Sequence, residues 1–337
     1  MNIIYSSSDA YSELAGVSIT SLFENNKNID DIEVYIIDNG ISEKNKEHFH
    51  KIAKLYNRSI IFLPKIDIEK TLKIDIYTGR WNIGTFFRLY LGTILPKEID
   101  RVLYLDCDTI VRGNLNELYN IDLGKCIVAG VDDCRSPLYR KELGLKDDSI
   151  YINNGVLLVD LENWRKNSLE EEFSNFIKKR KGDCTYMDQA PLNSILGQRD
   201  LIYDLPSKYN AQRVFFDFSY DELLRLRKPL HHLSKEEYLE AINSPIIVHF
   251  TPVFISGTRP WQVKDNHKFR NEYLHYKSIS PWKDVPLRKD DRKFRKKIMT
   301  TCCKILPRFL LIRIMSYLHA KWYPNKRNKL ASKLEKE

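Results

Sequence analysis

The stretch Arg101–Val111, RVLYLDCDTIV, sets an apolar run of Val102, Leu103, Tyr104 and Leu105 directly against Asp106, Cys107 and Asp108, after which Ile110 and Val111 resume the apolar character. Such a run reads as a buried strand that delivers two carboxylates at its end. β-Prone residues on both faces suit a covered, largely parallel sheet, and ligands in such sheets bind just beyond the carboxyl ends of the strands. Asp106 and Asp108 project the same way from an extended backbone, so both can address one hard divalent cation shared with a phosphate-bearing substrate. A turn is the plain alternative, because Asp is common wherever strands end.

The segments before this stretch alternate strand and helix. Asn2 to Ser6 reads as a strand, followed by the polar loop SSSDAY. Between Tyr11 and Asn25, the residues Leu14, Val17, Ser18, Ser21 and Leu22 recur at three- and four-residue intervals and predict a helix laying a small, apolar face on the sheet. DIEVYIID, residues 31–38, is a second strand, Ser42 caps a second helix, and Arg58 to Leu63 is a third strand. This β-α-β-α-β order predicts a doubly wound parallel sheet. Neither GxGxxG nor GxxxxGK[ST] spacing occurs, so a nucleotide has to be held by other means. Tyr11 can stack on a base while Ser6, Ser7, Ser8 and Asp9 meet its edge or ribose. An ordinary polar loop with a half-buried tyrosine accounts for the same residues.

Trp81 to Leu95 is an apolar, helix-like segment with one charge, Arg88, which needs an anionic partner or a snorkelling route to water. A short helix, Asn114 to Tyr119, follows the Asp pair. Cys126 to Val131 reads as a strand ending in Asp132 and Asp133, and Tyr151 to Asp160 as another with Asn153, Asn154 and Gly155 at its start. The Asn pair either shapes a turn or meets sugar hydroxyls, which need donors and acceptors together. Asn163 to Arg180 is a charged helical region, after which Asp188 and Gln189 lead a helix, as cap or as pocket wall. Ile246 to His249 is a last strand. With two carboxylates elsewhere, His249 completes a ligand set that suits Mn²⁺ with positions left open for phosphate, and Arg259 offers a cation to the same phosphate.

In order, IIYSSSDAY, FFRLYLGTILP, VLYLDCDTIV, NNGVLLVDLENW, MDQAPLN and HF followed by G-x-R-PW closely resemble family 8 of the retaining glycosyltransferases, which includes bacterial lipooligosaccharide galactosyl- and glucosyltransferases and glycogenin. The resemblance covers about residues 1 to 280. It implies a GT-A fold, Rossmann-like with a mixed central sheet flanked by helices, a bacterial source and a UDP-sugar donor, UDP-galactose or UDP-glucose. Carried over by position, it implies that Asp106, Asp108 and His249 hold Mn²⁺, or Mg²⁺, bridging the UDP diphosphate, with Cys107 beside them at the donor. Tyr11 would stack on uracil, and Ser6, Ser7, Ser8 and Asp9 would line the nucleoside. Arg88, Asp132, Asn153, Asp188 and Gln189 fall where the family contacts the donor sugar, with Asn153, Asp188 and Gln189 closest to the chemistry and Gln189 near the reacting carbon. Gly257 and Arg259 fall at the diphosphate. Three departures stand out: Ser8 and Asp9 replace a frequent acidic pair, Arg259 replaces the usual Lys, and the segment from His249 to Gly257 is several residues longer than in the family's HxxGxxKPW. In such retaining enzymes the favoured route is a same-face displacement, with a diphosphate oxygen accepting the acceptor's proton.

Composition bounds the remaining choices. The 337 residues are 43% hydrophobic and 12% aromatic, enough for one large α/β domain with an appendage. Six cysteines form no CxxC pair or disulfide framework, which fits a reducing compartment. No signal peptide and no run of eighteen apolar residues is expected. The net charge of +9 is uneven: residues 288–337 carry 16 Lys or Arg against four acidic residues, a net +12, which leaves the preceding 287 residues at −3. The expected organisation is a catalytic domain over residues 1–280 and a basic amphipathic C-terminal region over residues 281–337. Phe294, Ile298, Cys302 and Ile305, then Phe309 to Trp322, give that region an apolar component that favours an anionic membrane surface over nucleic acid; a helical cap packed on the domain is the plain alternative. The expected function is metal-dependent hexose transfer to a cell-envelope or lipid-linked glycan, in the cytoplasm at the inner face of the membrane. A nucleotidyltransferase or a non-catalytic sugar-nucleotide-binding protein is the rival class.

Overall fold

The computed structural model describes residues 1–74, 83–229 and 233–334. Trp81 and Asn82, the start of the apolar segment around Arg88, lie outside the described residues, as do 335–337 at the end of the basic tail. Ten strands follow in chain order: β1 (Asn2–Ser7), β2 (Glu33–Asp38), β3 (Ser59–Pro64), β4 (Arg101–Leu105), β5 (Thr109–Val111), β6 (Val128–Asp132), β7 (Ile152–Asp160), β8 (Ile202–Asp204), β9 (Ala211–Gln212) and β10 (Ile247–His249). Seven of them form one sheet in the order β3-β2-β1-β4-β7-β6-β8, and β5-β10-β9 form a small second sheet. The first half is parallel as the alternation predicts, with β2 beside β1 and β3, and β1 beside β4. The sheet becomes mixed at β7, which runs antiparallel to both β4 and β6.

Both faces of the sheet are covered, and the pleat divides the core accordingly. Ile3, Tyr5, Val34, Ile36, Leu103 and Leu105 point into one apolar cluster, with Leu14, Val17 and Leu22 of the helix Ser12–Asn25. Ile4, Tyr35, Ile37, Val102 and Tyr104 point into the other, with Phe86, Phe87, Trp164 and Phe173. The small face of the first helix does more than fill space: Ser18 Oγ hydrogen-bonds both Tyr5 OH (3.1 Å) and Thr109 Oγ1 (3.0 Å). Ser42 accepts from Asn45 N as the cap of the helix Glu43–Tyr56. The segment around Arg88 is a 3₁₀ helix over Ile83–Tyr90, and the charged helical region consists of two helices, Leu161–Lys166 and Leu169–Lys179, with Ser168 left-handed between them.

The tail is helical and packed. Helices Phe294–Ile305, Arg308–Ser316 and Tyr323–Leu334 are joined by Pro307 and a π-helical segment, Tyr317–Trp322. Cys303, Leu311, Ile312 and Met315 enter a third apolar cluster with Phe215, Phe218, Leu223 and Leu226 of the body. Ser136 Oγ donates to Ala320 O (2.8 Å), Tyr139 OH to His319 O (3.0 Å) and Arg327 Nη1 to Asp183 Oδ1 (2.9 Å). The opposite face leaves Phe294, Ile305 and Phe309 about three-quarters exposed, at 76%, 77% and 74%. No helix among the described residues is long and apolar enough to cross a membrane.

Candidate active site

β4 ends at Leu105, and Asp106 to Asp108 form the tight turn that leads into β5. The two carboxylates therefore converge through a turn and not, as the spacing suggested, from an extended strand. The turn brings them to His249 at the end of β10, because β10 pairs antiparallel with β5 and sets His249 opposite Thr109. His249 Nε2 lies 3.2 Å from Asp108 Oδ1 and 3.7 Å from Asp106 Oδ2. Ligand atoms of all three residues fall within 4.8 Å of one another.

The donor set fits a divalent cation. His249 Nδ1 lies 2.9 Å from Asn210 Oδ1, an acceptor, so Nδ1 carries a proton and Nε2 is the nitrogen turned to the carboxylates, available as a ligand. Gly155, on β7, leaves the space this requires. A Cβ there would stand 2.1 Å from His249 Cε1 and 3.0 Å from Asp106 Oδ2. Two carboxylates and one imidazole suit Mn²⁺ or Mg²⁺ with coordination positions left for phosphate oxygens. Burial would raise the Asp108 carboxyl, but His249 and Arg259 together hold it well below the usual carboxylate range. Arg259 Nη1 donates to Asp108 Oδ2 at 2.6 Å.

Arg88 finds the anionic partners that its apolar surroundings demand. Its Nη2 donates to Asp106 Oδ1 (2.8 Å), Nε lies 3.2 Å from Asp188 Oδ2, and Nη1 donates to Asn154 O (2.5 Å), while Tyr104 stacks against its guanidinium. Asn154 Nδ2 also donates to Asp188 Oδ2 (2.8 Å). Burial lifts the Asp188 carboxyl to about 6 against the pull of Arg88 and Asn154. Asp188 stands at the head of the helix Gln189–Gly197 without its side chain capping it, so it serves the cavity wall. Gln189 Nε2 donates to Asp133 Oδ2 (3.0 Å), and Asn153 Oδ1 accepts from Gly155 N and Asn210 Nδ2, 3.0 Å each.

These groups share one cavity of about 310 Å³. Ser6, Ser7, Ser8, Tyr11, Arg88, Asp106, Cys107, Asp108, Asn153, Asp188, Gln189, His249 and Arg259 all line it. Cys107 Sγ donates to Ser6 O (3.1 Å), tying the Asp turn to the end of β1. Three residues expected at the donor do not line the cavity. Asp9 is turned outward, where Oδ1 accepts from Ser42 N and Asn45 Nδ2 at 2.8 Å each and supports the start of the second helix. Asp132 is held by Arg140 Nη2 (3.2 Å) and Cys134 N (2.6 Å), and its neighbour Asp133 is the one that reaches Gln189. Gly257, left-handed at φ +67°, packs against the Arg292 guanidinium of the tail. A second cavity of about 520 Å³, between body and tail at Phe216, Cys303 and Arg308, contains none of Asp106, Asp108 or His249.

Sequence reasoning missed Asn210, Gly155, Arg135 and Arg227 as parts of this region. Asn210 and Arg227 lie in a stretch without a motif, and only the β5-β10-β9 pairing brings Asn210 to His249.

The model of glycosyl transferase family 8 matches residues 2–265, the part of the chain that carries the whole ligand set. The chain belongs to glycosyl transferase family 8. Among family relatives, it is 29% identical to general stress protein A of Bacillus subtilis (strain 168) over 288 residues, 85% of this chain and 96% of that protein. It is 29% identical to the lipopolysaccharide 1,2-glucosyltransferase of Escherichia coli (strain K12), over 84% of this chain and 79% of that protein. A crystal structure of the galactosyltransferase LgtC with donor and acceptor sugar analogues superposes with a TM-score of 0.70 at 22% identity, covering 83% of this chain and 96% of LgtC. The family 8 glycosyltransferase fold thus accounts for the mixed sheet, and the tail beyond residue 265 lies outside the matched family region.

Proposed function

We propose that this family 8 chain is a metal-dependent, retaining hexosyltransferase. On this reading it moves galactose or glucose from UDP-galactose or UDP-glucose to a cell-envelope oligosaccharide or lipid-linked glycan. The observation that carries the reading is the convergence of Asp106, Asp108 and His249 beside Arg259 at the end of β4. Bound there, Mn²⁺ or Mg²⁺ supplies Lewis-acid stabilisation to the charge that develops on the leaving diphosphate. Arg259 exchanges its contact with Asp108 for a phosphate oxygen and adds a preorganised cation. Tyr11, 46% exposed at the cavity mouth, offers a face for the base. Arg88 holds Asp106 and Asp188 in place, and Asp188, Asn153 and Asn154 meet the hydroxyls of the hexose.

The carboxylates of this region are all engaged. Among the described residues, Asp188 is bound by Arg88 and Asn154, Asp133 by Arg135 and Gln189, and Asp106 and Asp108 by Arg88, Arg259 and His249. Each is held through at least one oxygen, with Asp133 Oδ1 left unpartnered among the described residues, and the route we favour is same-face displacement beside Gln189, with a diphosphate oxygen taking the acceptor's proton. The presence of the full ligand set weighs against a non-catalytic binding protein.

The tail gives this enzyme a place to work. It leaves Phe294, Ile305, Phe309 and Trp322 exposed and carries a net +12 over residues 288–337, a combination that suits the anionic inner surface of a cell membrane. Each cation near such a surface contributes about 1 kcal/mol. The reading is tested with a panel of UDP-sugars and Mn²⁺, scored for UDP release. UDP-galactose or UDP-glucose is expected to turn over and nucleoside triphosphates are not; release of pyrophosphate from a triphosphate would favour the nucleotidyltransferase.

A further inference from the structure

One wall of the cavity carries more positive charge than the reaction above uses. Arg135 and Arg227 both line it, together with Tyr186 and Gln189. Arg135 is built in: Nε donates to Asp133 Oδ2 at 2.7 Å, Nη1 reaches Tyr186 OH at 3.4 Å, and the guanidinium lies over the Tyr186 ring at 4.7 Å. Arg227 ends the helix Tyr220–Arg227 and feels the charges of Arg135 and Asp133. Among the described residues no hydrogen bond or ion pair ends on the Arg227 guanidinium. The Asp133 carboxylate is bonded by Arg135 and Gln189, and Arg227 meets it only as a nearby charge.

On the sugar-transfer reading the donor's diphosphate does not need this charge. Arg259, on Asp108, stands with Asp106 and His249, and a divalent cation held there would offset the phosphates on that side. Arg227 lies instead near Asp133, the carboxylate that accepts from Gln189, beside which the sugars meet on the sugar-transfer reading. Burial and the neighbouring Arg135 both disfavour the charge on Arg227, which is what a second anion would relieve. A guanidinium in a cavity wall that bonds none of the described residues has five donors in a planar fork, which matches carboxylate and phosphate.

We infer that Arg227, with Arg135, forms a subsite for an anionic substituent, a carboxylate or a phosphate, on one of the two sugars that meet beside Gln189. The inference rests on the sugar-transfer reading for its location, not for its test. Two sources carry this chemistry, a charged acceptor glycan or a hexuronate in the donor.

The first measurement needs no turnover. Calorimetric binding of glucose 6-phosphate, glucuronate and glucose is compared on full-length protein loaded with Mn²⁺ and UDP. At least one anionic sugar is expected to bind more than about tenfold more tightly than glucose, with the preference lost in Arg227→Gln and partly kept in Arg227→Lys. Equal binding of the three by the unmodified protein, or a preference that survives Arg227→Gln in a variant that melts like the parent, overturns the subsite. Turnover then separates the sources. A preference for UDP-glucuronate over UDP-glucose assigns the anion to the donor, whereas a preference for a phosphorylated over an unmodified oligosaccharide with a neutral donor assigns it to the acceptor. If binding shows the preference but no UDP-sugar is turned over, the subsite stands and the transferase reading falls.

Discussion

Asp106 and Asp108 act as a pair only because a turn, an imidazole and a glycine cooperate. Gly155→Ala is expected to displace His249, since the new Cβ would meet its ring at 2.1 Å. Mn²⁺ affinity should fall about 10- to 100-fold, as when a ligand loses its supporting contacts; a Mn²⁺ titration followed by electron paramagnetic resonance that shows no change contradicts this role. Arg88 is a structural ion as well as a site residue. Removing it in Arg88→Ala strands Asp188 in the interior, so chemical denaturation should show a loss of about 3–5 kcal/mol. Asp188 supplies a pH test. Burial lifts its carboxyl to about 6 in the folded protein, above the unfolded value, so its contribution to stability is fully present below the unfolded value and is lost as pH rises through about 6. The melting temperature of the parent minus that of Asp188→Asn is therefore expected to fall between about pH 4.5 and pH 7.5, and a flat difference contradicts the shifted carboxyl. At this scale the motif residues were legible because Asp, His and Arg at strand ends are conspicuous in any sequence. Asn210 and Arg227 were not, because nothing local distinguishes an amide or a helix-terminal arginine that works only across the fold.

Elements show the same division between local and long-range signals. The first three strands and two helices lie where the apolar runs and periodicity put them: each helix lays one face on a single apolar cluster, and β1 and β2 send alternate residues into the two. β7 is antiparallel to its neighbours, and strand residues alone do not carry that information when both faces are buried. The resemblance to a mixed-sheet family did carry it. Asp9 and Asp132 show how a carry-over by position meets the fold: Asp9 is spent on Ser42 N and Asn45 at the second helix, Asp132 on Cys134 N and Arg140, and Asp133, next to Asp132, bonds Gln189. For the tail, periodicity marked an amphipathic element but not which apolar residues face inward. Met315, buried with Leu311 and Ile312, faces the body, while Phe309 faces out. Met315→Asp is expected to destabilise the protein by several kcal/mol, on the order of 3, whereas Phe309→Asp should change stability by about 0.5 kcal/mol or less.

At the scale of the whole molecule, the charge is divided between two parts: a slightly acidic body carries the candidate active site, and a basic helical layer packs on it. Because that layer shares a core with the body, deleting it would expose Phe215, Phe218, Leu223 and Leu226, and substitutions at its exposed residues are the cleaner test of membrane contact. Ile305→Asp with Phe309→Asp is expected to release the protein from anionic liposomes while leaving its melting temperature within a few degrees of the parent; liposome binding that survives both changes contradicts a membrane-facing tail. The central claim concerns the cluster at the end of β4, and it is reached most directly by UDP release from UDP-galactose and UDP-glucose in Mn²⁺, repeated after chelation and in Asp106→Ala and Asp108→Ala. Release from one of the two donors in Mn²⁺, abolished by chelation and by either substitution, is the expected result, and release that persists in metal-free buffer or in either variant would contradict it.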